Sequence, residues 1–396
     1  MNQKSKTRCI GILTSGGDCP GLNAAIRGVV KAAINVYGMR VIGFLDGFRG
    51  LAENRFIPLD DHAVSGILTL GGTILGTSRD KPHKMHMGND VLDMTGPAVQ
   101  NAKRMGVDCL VCLGGNGTQK NACHLSKAGL PVLTLPKTID NDVVETDTTF
   151  GYDTALTIAT EAIDRLHTTA TSHHRMIVCE IMGHSAGWLA LGSGIAGGSD
   201  VILIPEIPYD LTAVVAHLVE RRRSGKRFSI IAVSEGALSI DEAKARDREE
   251  KRKKEEKVKK TKTDSKLTST QSAKVDVHVN HADDDMHLVQ EPKASRLGRQ
   301  IQQVTGIEVR VTSLGHVQRG GGPTSTDRLL CTRLGTKAAE LLAQGEYNVM
   351  VGIKGDTCVA VPLDKVAGLV KRVPLNHPWI KAARLVGTCI GDHLEG

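Results

Sequence analysis

Apolar runs recur along the chain. Most are closed by a polar, glycine-rich turn and followed by a longer stretch with apolar positions at helical spacing. Arg8–Leu13 predicts a first strand and Leu22–Val36 a helix after it. Val41–Leu45, Val107–Leu113 and Leu130–Leu135 predict further strands. The last two are mostly apolar, broken only by Asp108 and Thr134, as strands covered on both faces tend to be. Phe150–Thr169 reads as a helix, then Met176–Ile181 and Val201–Ile204 as strands, Leu211–Arg223 as an amphipathic helix and Phe228–Val233 as a strand. Beyond an interruption the spacing predicts a helix over Gly298–Thr305, a strand at Glu308–Val311 and a helix over Asp327–Leu342. A strand at Tyr347–Ile353 with a hairpin and a last helix near Trp379–Leu385 complete the chain. This βα alternation, repeated in two halves, implies two similar α/β domains.

The interruption spans about 241–295. Its first part is almost wholly charged, with Glu249/Lys253, Glu250/Lys254, Glu255/Lys259 and Glu256/Lys260 at the spacing that supports an isolated helix. It has no apolar face to pack, and the Thr/Ser/Lys-rich stretch after it reads as disordered. His278, His281, Asp283, Asp284, Asp285 and His287 include metal-ligating types, but without ligand spacing they read as a solvated loop.

With 396 residues, 40% of them hydrophobic, the chain can bury one large or two medium cores. Aromatics are only 3%, which argues against stacking of single-stranded nucleic acid. The net charge of +7 owes much to the Lys/Arg run at 244–266, so the folded body is less basic than the total. Nine cysteines show no framework spacing, and Cys109 and Cys112 lie three apart in one predicted strand, hence on opposite faces. Reduced thiols and a cytoplasmic location are expected. No apolar run is long enough to span a bilayer.

The candidate chemistry sits in the turns. Pro136-Lys137-Thr138-Ile139-Asp140-Asn141-Asp142 follows a buried strand, where ligands bind in open α/β sheets. One carboxylate there suits taking a proton from a hydroxyl and the other holding a cation; the plain alternative is an Asx-rich turn. Thr14–Gly21, Gly71–Arg79 and Gly114–Thr118 are glycine-rich turns that would converge on one sheet edge and offer N–H groups to phosphate. Arg79 is placed either to clamp that phosphate or simply to face solvent.

Taken together, TSGGDCPGLNAAIRG, GGTILGTSR, LGGNGT, PKTIDND, EIMGHSAGW, VSEGA and LGHVQRGGGPTSTDR resemble the 6-phosphofructokinases. They cover nearly the whole chain outside about 241–295. The resemblance implies two Rossmann-like three-layer α/β domains with the active site in the cleft between them. Residues 1–150 plus about 318–362 would bind the donor nucleotide, and 151–317 plus about 363–396 would bind fructose 6-phosphate. The implied reaction is the glycolytic, Mg²⁺-dependent transfer of a phosphoryl group to the sugar's 1-hydroxyl. By this resemblance Asp140 is the base, while Thr138 and Asp142 line the transferring group and its metal. Gly16, Arg79, Gly115, Asn116, Gly117, Thr118 and Lys137 cradle the donor. Met182, Gly183, Glu235, His316 and Arg319 hold the sugar phosphate, together with Arg175 and Arg310. In the family those two arginines come from a neighbouring subunit, which implies a homo-oligomer, dimer or tetramer.

Two residues depart from the family pattern. Asn116 stands where an Asp usually serves the metal, leaving Asn116 and Asp142 as the candidate metal residues, and His184 stands where Arg is frequent. A weakly catalytic or regulatory sugar-phosphate-binding subunit is therefore an alternative. Gly117 resembles ATP-using members and Lys137 pyrophosphate-using ones; some ATP users combine the two. ATP is the favoured donor and pyrophosphate the alternative.

Overall fold

In the computed structural model, residues 4–249, 251–252 and 291–392 are described. A seven-stranded sheet is ordered β13-β12-β7-β6-β1-β2-β3. Its strands are β1 (Cys9–Thr14), β2 (Arg40–Phe44), β3 (Phe56–Pro58), β6 (Cys109–Gly114), β7 (Val132–Pro136), β12 (Val349–Lys354) and β13 (Thr357–Pro362). The five inner strands run parallel, and only β3 and β13, at the two edges, are antiparallel. A second sheet, β11-β8-β10-β9, is all parallel. It consists of β8 (Met176–Ile181), β9 (Val201–Leu203), β10 (Ser229–Ser234) and β11 (Val309–Ser313). A small hairpin joins β4 (Met85–Met87) and β5 (Asp90–Leu92).

The central strands are buried on both faces, which is why their sequences are almost wholly apolar, with Thr14 and Thr134 as buried polar exceptions. Ile10, Ile12, Cys109 and Val111 face the core that contains the helices Leu22–Asn35 and Ser325–Gln344. Leu13, Leu110 and Cys112 face the opposite core with Phe44, Phe48 and Leu51. The two cysteines of the CxxC thus point away from each other, as strand alternation requires.

Register fixes where the turns emerge. Thr14 pairs with Leu113, and Gly114 with Pro136, so the loops after β1, β6 and β7 leave one edge side by side. In the second sheet Ile181 pairs with Ser234, and Ser313 with Glu180, so the loops after β8, β10 and β11 also share an edge. Asp327 joins the lobes from beneath. Its buried carboxylate accepts from Gly151 N (2.9 Å), Thr154 N (2.9 Å) and the Thr154 hydroxyl (2.5 Å), capping the helix Tyr152–His173.

β3, the β4–β5 hairpin and the helices Phe48–Glu53 and Thr95–Arg104 were not legible as periodic patterns, being short and in part exposed. The insertion begins later than its charge suggests. Residues 240–249 are helical, and Ala243 is buried. Glu242 accepts from Lys293 (3.2 Å) and pairs with Arg296 (2.7 Å), and the following helix starts at Lys293 rather than Gly298. The histidine–aspartate cluster at 278–287 and the partners of the Glu–Lys pairs lie outside the described residues. Among the described residues no helix is long and apolar enough to cross a membrane.

Candidate active site

The loop after β7 carries both carboxylates. Lys137, Thr138, Asp140 and Asn141 are buried, and Asp142 is half-buried. The Thr138 hydroxyl accepts the Asp140 amide (3.0 Å), which turns the chain back on itself. Asn141 then takes a left-handed backbone, φ 52°. Asn is among the non-glycine residues that enter this region most readily. Its side-chain oxygen accepts the Thr149 amide at 3.1 Å. The left-handed step places Asp140 and Asp142 on either side of one residue. Burial, then the charge of Asp142, raises the Asp140 carboxyl above its ordinary value; burial also raises Asp142.

Asn116 opens the helix Asn116–Lys127, directly beside this loop. Its amide nitrogen donates to the Asp142 carboxylate (2.8 Å) and to Asp142 O (3.1 Å). That leaves Asn116 Oδ1 buried without a partner among the described residues, and the same holds for Asp140 Oδ1. Buried acceptors without a donor cost free energy unless something supplies a proton or a cation. All of the donor atoms here are oxygens. Among the described residues no group of three or more His, Cys, Asp or Glu is arranged to hold a metal. This set suits Mg²⁺, which keeps water and phosphate ligands and takes few from protein.

The loop after β1 supplies the floor. Gly16 has φ +87°, and a Cβ on it would stand 3.5 Å from Lys137 Nζ. The Lys137 ammonium donates to Gly17 O from below, and burial lowers its proton affinity. Gly115 is close to the Lys137 carbonyl, 3.2 Å from where a Cβ would be. Thr118 is buried, with its hydroxyl on Ser15 O (3.3 Å). Gly117 differs from all of these: a Cβ there would meet nothing within 4 Å, and its backbone is ordinary. Neither packing nor conformation of the chain itself requires glycine at this position. Arg79 stands exposed at the end of the Gly71–Gly76 loop, which Asn23 anchors through Leu70 O, Gly71 O and Ile74 N.

From the second sheet, Met182 N donates to the buried Gln318 (3.3 Å). Gly183 has φ +147°, and a Cβ there would lie 2.6 Å from Ala186 O, so no side chain fits. His184, also left-handed at φ 51°, donates its amide to Glu235 (2.8 Å). His184 faces the carboxylate pair closely enough to favour ionisation of both. His316 is exposed at the tip of the loop after β11.

Three predicted residues lie elsewhere than a simple pocket would have them. Arg319, at the end of the loop after β11, turns to the loop after β1, donating to Asp18 O (3.0 Å) beside Gly17, with its Nε buried and unpartnered among the described residues. Arg175 and Arg310 sit at the far end of the second sheet, both on Glu308, at 2.8 and 2.5 Å. Arg175 precedes β8 and Met182 follows it, so about 20 Å of strand separates them. Neither arginine can enter this chain's own cleft.

Lys371 was missed. No motif surrounds it, yet its ammonium donates to Asn141 Oδ1 (3.0 Å), Thr146 O (2.9 Å) and Asp147 O (3.0 Å). Burial lowers it to about 8. Only the folded chain brings residue 371 to residue 141.

Residues 9–342 match the phosphofructokinase family model. The chain belongs to the phosphofructokinase family. An ATP-dependent 6-phosphofructokinase of Propionibacterium freudenreichii subsp. shermanii is 54% identical over 97% of this chain and 99% of its own length. One from Spirochaeta thermophila is 51% identical over 98% and 99%. Among solved structures, Pichia pastoris phosphofructokinase in the T-state superposes with a TM-score of 0.73 at 29% identity, over 92% of this chain. This chain spans only 36% of that larger one. The pyrophosphate-dependent phosphofructokinase of Nitrosospira multiformis superposes at a TM-score of 0.74 with 19% identity, covering 98% of this chain and 93% of its own; that likeness shows the fold alone. The phosphofructokinase fold thus accounts for the two parallel-rich sheets and the loops gathered at their edges.

Proposed function

We propose that the chain transfers the terminal phosphoryl group of ATP to the 1-hydroxyl of fructose 6-phosphate, giving fructose 1,6-bisphosphate and ADP in glycolysis. The observation that carries this is the buried Asp140, its Oδ1 unpartnered among the described residues, with Asp142 two residues on in the loop after β7. Asp140 accepts the proton of the 1-hydroxyl as that oxygen bonds to the terminal phosphorus and the bond to the ADP oxygen breaks. Its raised proton affinity makes it a better base than an ordinary carboxylate. Thr138 and Asp142 border the transferring group. Gly16, Gly115 and Thr118 form the turn around the donor's phosphates, with Arg79 at the rim. Arg319, already at Gly17 and Asp18, supplies positive charge where the lobes meet.

Asp142 and the Asn116 side-chain oxygen would hold Mg²⁺, which when bound neutralises phosphate charge. Met182, Gly183, Glu235 and His316 would contact the sugar phosphate. Residues 1–150 with about 318–362 form the donor lobe, and 151–317 with about 363–396 the sugar lobe. Arg175 and Arg310, on the outer edge of the second sheet, would serve the cleft of a second copy, so the working form is a homo-oligomer in the cytoplasm.

Two features favour ATP over pyrophosphate. The relatives named above are ATP-dependent. The open space over Gly117 leaves room for a nucleotide's α-phosphate, whereas Lys137 is occupied in holding Gly17. The test is fructose 1,6-bisphosphate formation, coupled to aldolase and NADH oxidation, with each donor in turn. Turnover with pyrophosphate and none with ATP would reverse the donor; none with either would leave the regulatory-subunit reading.

A further inference from the structure

The segment 371–373 belongs to neither glycine-rich edge, yet it bonds to both lobes next to the carboxylate pair. All three donors of the Lys371 ammonium are engaged, by Asn141 Oδ1 (3.0 Å), Thr146 O (2.9 Å) and Asp147 O (3.0 Å). Its backbone N–H donates to Asp142 O at 2.7 Å. Its carbonyl accepts the Trp188 indole N–H at 3.1 Å, and the ammonium lies 5.5 Å from the centre of that ring. Two residues on, Val373 N donates to Glu206 (2.9 Å), on the same oxygen that accepts Gly187 N (2.9 Å). One short extended segment therefore grips the loop 141–147 on one side and the start of the helix Trp188–Ala196 on the other.

We propose that Lys371 is a positioning residue for phosphoryl transfer. It holds Asn141 in its left-handed turn, and so sets the spacing of Asp140 and Asp142 and ties that loop to the sugar-binding lobe. This rests on the reading that the two carboxylates perform the transfer. A left-handed non-glycine residue is strained and persists where its surroundings over-determine it. Here the Thr149 amide and the Lys371 ammonium both clamp the Asn141 side-chain oxygen. Without the ammonium, three acceptors of a partly buried loop each lose a donor together, and the loop is free to relax. Displacement of reacting groups by about 1 Å costs on the order of 10²-fold in rate, with little effect on ligand affinity.

The experiment compares wild type, Lys371→Met, Lys371→Arg, Asn141→Ala and the Lys371→Met/Asn141→Ala double variant. Lys371→Met keeps a long unbranched side chain, one atom shorter, and removes the three ammonium donors while leaving the backbone N–H to Asp142 O. The expected result is a kcat lower by about 10- to 100-fold, KM values for both substrates within about threefold, and faster amide exchange across 141–149. Lys371→Arg should recover part of the kcat. Asn141→Ala should lose a similar factor, and the double variant less than the product of the two single losses, because both variants release the same turn. If Lys371→Met does not fold, Asn141→Ala carries the test alone, through its kcat and its amide exchange. A kcat within twofold of wild type in Lys371→Met or Asn141→Ala overturns the proposal, as does fully additive loss in the double variant. If wild type itself transfers no phosphoryl group while exchange across 141–149 still rises in Lys371→Met, the catalytic reading has failed and the clamp has not.

Discussion

Replacing Asn116 with Asp restores the acid that the family usually carries there, and the structure shows why the change is not benign. Asn116 Nδ2 now donates to the Asp142 carboxylate at 2.8 Å. In Asn116→Asp that donor becomes an oxygen facing an oxygen. A hydrogen bond to a charged group, worth about 1.5–3 kcal/mol, disappears. Two charges at the observed separation would repel by about 6 kcal/mol at an effective dielectric constant of 20, falling to about 4 kcal/mol if the side chains part to ~4 Å. That repulsion raises the proton affinity of the pair further, on top of the rise that burial already imposes on Asp142. Without a cation the variant should therefore either keep an extra proton near neutral pH or lose several kcal/mol of stability. A divalent cation removes the conflict. Melting in EDTA and across a MgCl₂ series is the assay. Asn116→Asp should melt lower than wild type in EDTA and gain more from Mg²⁺, since ligand at about 100 times its Kd adds about 2.7 kcal/mol. Equal melting in EDTA together with equal Mg²⁺ shifts would refute the reasoning and place any metal away from Asn116.

Asp140→Ala should lower kcat by about 10²–10⁴-fold while fructose 6-phosphate still binds by calorimetry; near wild-type turnover would remove Asp140 from the chemistry. The base works deprotonated and burial raises its proton affinity in the free protein, so the acid limb of kcat/KM, which reports the free enzyme, should lie above the usual carboxylate range in a pH–rate profile. Gly117→Asp should fold normally, because a Cβ there meets no packed group within 4 Å, yet lose ATP turnover by intrusion and like charge; retained kcat/KM for ATP would show that the nucleotide runs elsewhere. Excising residues 250–290 with a short Gly/Ser link should leave kcat within about twofold, since Glu242 and Lys293 already bring the flanks together; loss of soluble protein would make the insertion structural.

The parallel sheets, the reduced and separated cysteines and the loops after β1, β6, β7 and β8 were legible in the chain, because strand burial and βα alternation write themselves as apolar runs and glycine-rich turns. PKTIDND carried the same information locally: a turn of Asx residues after a buried strand already places two carboxylates at a sheet's ligand-binding edge. Other features were decided only by folding. That Arg319 crosses to Asp18, that Arg175 and Arg310 are about 20 Å from this chain's own cleft, and that Gly117 is open while Gly183 is crowded all depend on strand register and lobe packing. Lys371 is the extreme case. It lies 230 residues from Asn141, in a tail with no periodic signal, and its ammonium is held by two backbone carbonyls and one amide oxygen. A carbonyl has no letter in the sequence, so a residue whose partners are backbone atoms of a distant loop becomes visible only once that loop has been folded against it.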